Sequence, residues 1–153
     1  MTLARIVGVG QPFAGDDGAG LAVIELLRQL DLPAGVSVAA VREPTALLPF
    51  LDEAGTRLVI VDAVLAEPVG KVFDLDGARV EAGDLTSVSS HGVSVGEVLA
   101  LARACHPGNE LAVEVRVVAV AISRPPRGQV GLSAAVAASV SPAARLALER
   151  ATQ

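Results

Sequence analysis

Three residues carry the chemistry that this sequence offers, namely Asp17, Asp62 and His91. Asp62 closes the apolar run Leu58-Val59-Ile60-Val61, and Asp17 follows the first apolar segment after a Gly/Pro-marked loop. His91 ends a loop rich in Ser and Thr, just before a helical pattern. Each alone has a plain structural account. Asp16 or Asp17 can cap a helix, Asp62 can close a strand, and His91 can be a loop histidine. Converging on one sheet edge, two carboxylates and an imidazole make an open set of O and N ligands. Such a set suits a divalent transition metal in the nickel, zinc or iron range, with coordination positions left vacant.

Convergence depends on the elements that carry these residues. Leu3 to Gly8 reads as a buried strand, and Leu21, Ile24, Leu27 and Leu30 have the spacing of a helix that Asp16-Asp17 would cap. Val36 to Val41 reads as a second strand, and Thr45 to Ala54 as a short helix. The continuous apolar run ending at Asp62 marks a strand covered on both faces. Gly70 to Leu75 and Ala78 to Glu81 read as hairpin arms about an Asp76-Gly77 turn. Val95 to Cys105 is helical, and Leu111 to Ile122 is the longest strand candidate. Two further helical pieces follow, divided at Ser141-Pro142. Strands alternating with helices predict an α/β fold, a three-layer sandwich with a mostly parallel sheet between helix layers. In such sheets, ligands sit outside the strand carboxyl ends where strand order reverses. The first and third strands commonly flank that point, which would bring Asp17 and Asp62 together. Without a linker or internal repeat, residues 1–153 read as a single domain.

Three local patterns imitate other sites. Gly8-Val9-Gly10 follows a strand, but a dinucleotide fingerprint needs a third glycine at position 13, which is Phe13. Those glycines are expected to permit a tight turn. Gly92-Val93-Ser94-Val95-Gly96 matches a nucleophile elbow by letters, yet the only downstream histidine is His106, inside the same helical segment. Ser94 with Glu97 reads instead as a capping box. Cys105 lacks a basic neighbour other than His106 and reads as a buried structural thiol, with His106 a favourable charge at a helix C-terminus.

Composition narrows the function classes. Of 153 residues, 52% are hydrophobic and 19% charged, which excludes intrinsic disorder. A net charge of -5 with scattered Lys and Arg gives no phosphate-tracking surface, and three Phe without Tyr or Trp leave little for stacking bases. Nucleic acid is not an expected partner. Apolar runs such as Val117 to Ile122 fall far below the roughly 20 residues that a membrane helix needs, so no membrane partner is expected. One cysteine excludes an intramolecular disulfide framework, and Met1 to Arg5 lacks the features of a signal peptide. A cytoplasmic location is the expectation.

Gly8-Val9-Gly10-Gln11-Pro12-Phe13-Ala14-Gly15-Asp16-Asp17-Gly18-Ala19-Gly20, then Leu58 to Ala63, then Ser90-His91-Gly92, resembles the hydrogenase maturation protease family. Gly131-Leu132-Ser133 is similar to a later segment of that family. The resemblance implies a five-stranded twisted sheet between helix layers. It also implies an endopeptidase that removes a C-terminal extension from the nickel-iron hydrogenase large-subunit precursor once nickel is in place. The family's metal-contacting positions fall on Asp17, Asp62 and His91. Nickel in that family belongs to the substrate and serves as its recognition element, so the protease needs no tightly held metal. Three positions depart from the pattern: Gln11 stands where Asn is usual, Arg42-Glu43-Pro44-Thr45 replaces a glycine-rich segment, and Arg124-Pro125-Pro126-Arg127 is unusual. These departures leave open which hydrogenase is the partner and whether the chain is a non-catalytic nickel-site chaperone; a small-molecule hydrolase with an acidic pocket is a separate alternative.

Overall fold

The computed structural model describes residues 2–83, 86–87 and 93–153. Its strands are β1 (Ala4–Val9), β2 (Val36–Val41), β3 (Arg57–Leu65), β4 (Val72–Asp76), β5 (Thr86–Ser87) and β6 (Glu114–Ile122). Helices are α1 (Ala19–Arg28), α2 (Leu48–Leu51), α3 (Gly77–Glu81), α4 (Val95–Cys105) and α5 (Ala134–Ala151), with 3-10 turns at Gly15–Gly18 and Pro44–Leu47. The sheet runs in the order β2-β1-β3-β6-β4, and the short β5 pairs with β3 off this path. β2, β1, β3 and β6 are mutually parallel, whereas β4 runs antiparallel to β6. This is the expected mostly parallel α/β sheet.

The period of two along each strand builds a core on either face. Ile6, Val59, Val61, Val118 and Val120 pack under α1 and α5. Val7, Ile60, Val64, Val115 and Val117 pack against Leu47, Leu51 and the α4 residues Val95, Val98 and Leu99. A three-layer sandwich results. Asp62 alternates with Ile60 and Val64, so it lies on the α4 face of β3.

Three local readings are corrected. The second arm of the expected hairpin is helix α3. Asp76 accepts a bond from the Arg79 backbone N–H at 2.9 Å and caps that helix, so Asp76-Gly77 starts a helix rather than a two-residue turn. Ser141-Pro142 does not divide two helices, because α5 runs unbroken from Ala134 to Ala151 with Pro142 inside. Burial of Val136, Ala143, Ala144 and Ala147 on one apolar face holds the helix together across the missing backbone donor. The strand that was expected to end at Asp62 continues to Leu65, paired with β6 through Leu65↔Ile122.

Candidate active site

Glycine determines how closely the first helix sits on the sheet. A Cβ on Gly20 would lie 2.5 Å from the Val9 carbonyl oxygen and 2.6 Å from that of Val61. A Cβ on Gly8 would lie 2.3 Å from the Gly20 oxygen, and one on Gly10 would lie 2.5 Å from the Asp17 oxygen. All four approaches are too close for any side chain. The start of α1 is thereby seated in the notch between the carboxyl ends of β1 and β3. Gly8 and Gly10 therefore serve close packing, not the tight turn expected of them. In this loop Phe13 and Gly15 take a left-handed backbone, at φ 59 and φ 61, and Gly8 and Gly10 do not.

Asp17 is carried into that notch. It lies in the 3-10 turn Gly15–Gly18, which packs against β3. The register Gly8↔Val61 puts Val9, the last residue of β1, level with Asp62. Beyond that level β1 has left the sheet, and β5 pairs with β3 only at Val64 and Leu65. β6 fills the other side of β3 throughout, so β5 takes the side that β1 vacates. Asp62 and Ala63 occupy the interval between the two. Asp62 is 5% exposed, and its Oδ1 accepts from the Ala63 backbone N–H at 2.9 Å. β1 and β3 are thus neighbouring and parallel, with Asp17 and Asp62 on one edge, as expected. Burial raises the pKa of Asp17 above the usual carboxylate range. His91 lies outside the described residues. Among the described residues no group of three His, Cys, Asp or Glu side chains is gathered to hold a metal ion.

The neighbouring acid does different work. Asp16 is 3% exposed, and its carboxylate accepts from the Ser133 backbone N–H at 2.6 Å and from Ser133 Oγ at 2.9 Å. Ser133 is the N-cap of α5, so Asp16 ties the site's turn to a helix 117 residues away in sequence. Asp16 does not cap α1, whose N-cap is Gly18, and no side-chain bond is made there. No local pattern could have signalled this contact; only Gly131-Leu132-Ser133 hinted that the segment mattered.

The decoys also resolve. Ser94 Oγ accepts from the Glu97 backbone N–H at 3.1 Å, so the serine is engaged as the cap of α4. Cys105 is exposed, which corrects the expected buried thiol. It lines a shallow cleft with Leu48, Asp52, Leu101, Ala102 and His106. Its place in the last turn of α4, whose apolar face is anchored by Val95, Val98 and Leu99, explains the exposure. Gln11 donates from Nε2 to the Arg42 carbonyl at 2.8 Å and so joins the loops leaving β1 and β2.

An α/β sheet with buried acid at its switch point defines the class of this site, and comparison with known proteins gives the family. Residues 23–150 match the family model described as hydrogenase maturation protease. The chain belongs to that family, and its enzyme class is peptidase. No curated protein matches the chain. Three solved structures share the fold at 24% identity. The hydrogenase maturating endopeptidase HybD from E. coli has a TM-score of 0.74, over 95% of this chain and 89% of its own. The [NiFe] hydrogenase maturation protease HybD from Thermococcus kodakarensis has a TM-score of 0.75, over 98% and 99%. An endopeptidase from Escherichia coli, solved in solution, reaches 0.79 over 97% and 91%.

Proposed function

We propose that this protein acts as a single domain over residues 1–153, in the cytoplasm. There it removes the C-terminal extension of a nickel-iron hydrogenase large-subunit precursor after nickel insertion. One observation carries the reading: the glycine-enforced seat of α1 puts Asp17 on the same carboxyl edge as the buried Asp62. The nickel arrives as part of the substrate, held partly by the substrate's cysteines. Asp17, Asp62 and His91 supply oxygen and nitrogen donors to its open positions. Ser94 is spent as a cap, and Cys105 is exposed in the last turn of α4, in a cleft with Leu48, Asp52 and His106. On this reading water attacks the scissile carbonyl. A site carboxylate accepts the water's proton, a role that suits an acid such as Asp17, whose proton affinity is raised by burial. Cleavage is then of the aspartyl type. The test is to incubate the purified protein with nickel-loaded precursor and weigh the product. A precursor shortened at its C-terminus supports the reading; an intact precursor overturns it.

A further inference from the structure

The loop between β6 and α5 is built for contact yet takes no part in the fold's ion pairs. It leaves Ile122 beside the end of β3, on the edge that carries Asp17 and Asp62. Its middle rests on the site's own turn. A Cβ on Gly15 would meet the Pro125 Cβ at 3.0 Å and the Gln129 side chain at 3.2 Å. Gln129 donates from its backbone N–H to the Pro126 carbonyl at 3.2 Å and from Nε2 to the Gly131 carbonyl at 3.1 Å. Two adjacent prolines fix φ at consecutive positions, so the segment is stiff without being helix or strand. Arg124 and Arg127 flank those prolines, and both are exposed.

Arg124 and Arg127 stand apart from the chain's acids. Arg28, Arg42 and Arg145 also form no ion pair among the described residues, but each has an Asp or Glu within four positions in the sequence. Arg5, Arg57, Arg103, Arg116 and Arg150 each meet a carboxylate. Among the described residues Arg124 and Arg127 meet none, although the chain holds 17 acidic residues against 12 basic ones. No Asp or Glu occurs from Ser123 to Gly131. Arg42, at the end of β2, differs in having Glu43 beside it. Two unpaired guanidinium forks on a stiff loop beside an active site match planar, bidentate carboxylate recognition.

We propose that Arg124 and Arg127 are specificity-determining residues that bind carboxylate groups on the substrate segment next to the cleavage point. The inference rests on the peptidase function proposed above. The ligand chemistry is a carboxylate, supplied by acidic side chains flanking the cleavage point or by the precursor's own C-terminus.

The experiment uses the full chain and nickel-loaded precursor, with Kd and cleavage kinetics both measured. Arg124→Gln/Arg127→Gln should weaken binding and raise KM by roughly tenfold, a few-fold for each exposed guanidinium. It should also flatten the fall of kcat/KM with salt and leave Tm unchanged. Arg124→Lys/Arg127→Lys keeps the charge without the fork and should recover part of the loss. Precursor with its flanking acids changed to amides, and precursor with an amidated C-terminus, identify the source. In one of these arms wild type and the Gln variant should converge. Unchanged Kd, KM and salt dependence in the Gln variant, or no convergence in either arm, overturns the proposal. A precursor that binds in an arginine-dependent way but stays uncut supports the recognition role and overturns only the peptidase function. A precursor neither bound nor cut overturns both.

Discussion

Adjacent acids in one turn should respond oppositely to neutralisation. Asp16 accepts two hydrogen bonds from Ser133, and both are lost in Asp16→Ala. Charge-assisted bonds of this kind contribute about 1.5–3 kcal/mol each and do not add fully, so a loss of about 3 kcal/mol is expected. At about 2–4 °C per kcal/mol for a chain of this size, Tm should fall by roughly 6–12 °C. Ser133→Ala removes the Oγ bond alone and should cost about 1.5 kcal/mol, the low end of that range. Asp17 is the reverse case. Burial raises its pKa in the folded state, so the folded protein holds this proton more tightly than the unfolded chain. Stability from Asp17 is complete below the unfolded pKa and is lost as pH rises through the folded pKa. Asp17→Asn removes that loss. Its Tm at pH 7 should equal or exceed that of wild type while peptidase activity disappears. Thermal melts from pH 4 to pH 8, alongside a cleavage assay, separate the two residues. Equal destabilisation by Asp16→Ala and Asp17→Asn would refute the division of labour, as would an Asp16→Ala variant with unchanged Tm.

Phe13 is 81% exposed at φ 59, a left-handed conformation that costs a side-chain-bearing residue about 1–2 kcal/mol. Phe13→Gly removes that strain but frees the unfolded chain by about 0.5–1 kcal/mol, so chemical denaturation should find stability unchanged or slightly raised. A marked loss would show that the ring is packed in solution. Asp74 has its pKa lowered, first by the hydrogen bond from Arg150; burial opposes this, and the hydrogen bond from Arg116 and the charges of both guanidinium groups lower it further. Its contribution is present above the unfolded pKa and is lost as pH falls through the folded value, so Asp74→Asn should lower Tm at pH 7 and lose its effect in acid. An equal Tm difference at pH 7 and pH 2 would contradict this. Ser94→Ala should cost about 1 kcal/mol through the lost cap and leave cleavage intact. Loss of cleavage in a folded variant would revive the serine as a nucleophile.

What was legible in the sequence followed from burial. Leu58 to Val61 had to be a covered strand, and its neighbour had to be the other run that opened a β-α unit, so β1 beside β3 was foreseeable. Helix α4 was legible to the residue, because Ser94 caps it and the Pro107-Gly108 break follows. Long-range contacts were not. Asp16 reads locally as a cap of the helix just after it, and only the folded chain brings Ser133 to its carboxylate. Asp76-Gly77 is ambiguous in the same way, since one pair of letters opens a hairpin turn or caps a helix. Tertiary packing decided for the helix, where a Gly77 Cβ would meet the Val115 Cβ at 3.0 Å. The glycines before α1 read locally as turn formers, because close approach between a helix and two strand ends leaves no local signature.

The most direct test of the central claim is the cleavage rate of one precursor prepared with and without nickel, read by intact mass for wild type and Asp62→Asn. The account predicts a shortened product from the nickel-loaded form alone. It also predicts that Asp62→Asn loses this cleavage with far less change in Tm than in rate. Equal cutting of both precursor forms by wild type, or normal cutting of the loaded form by Asp62→Asn, would contradict it.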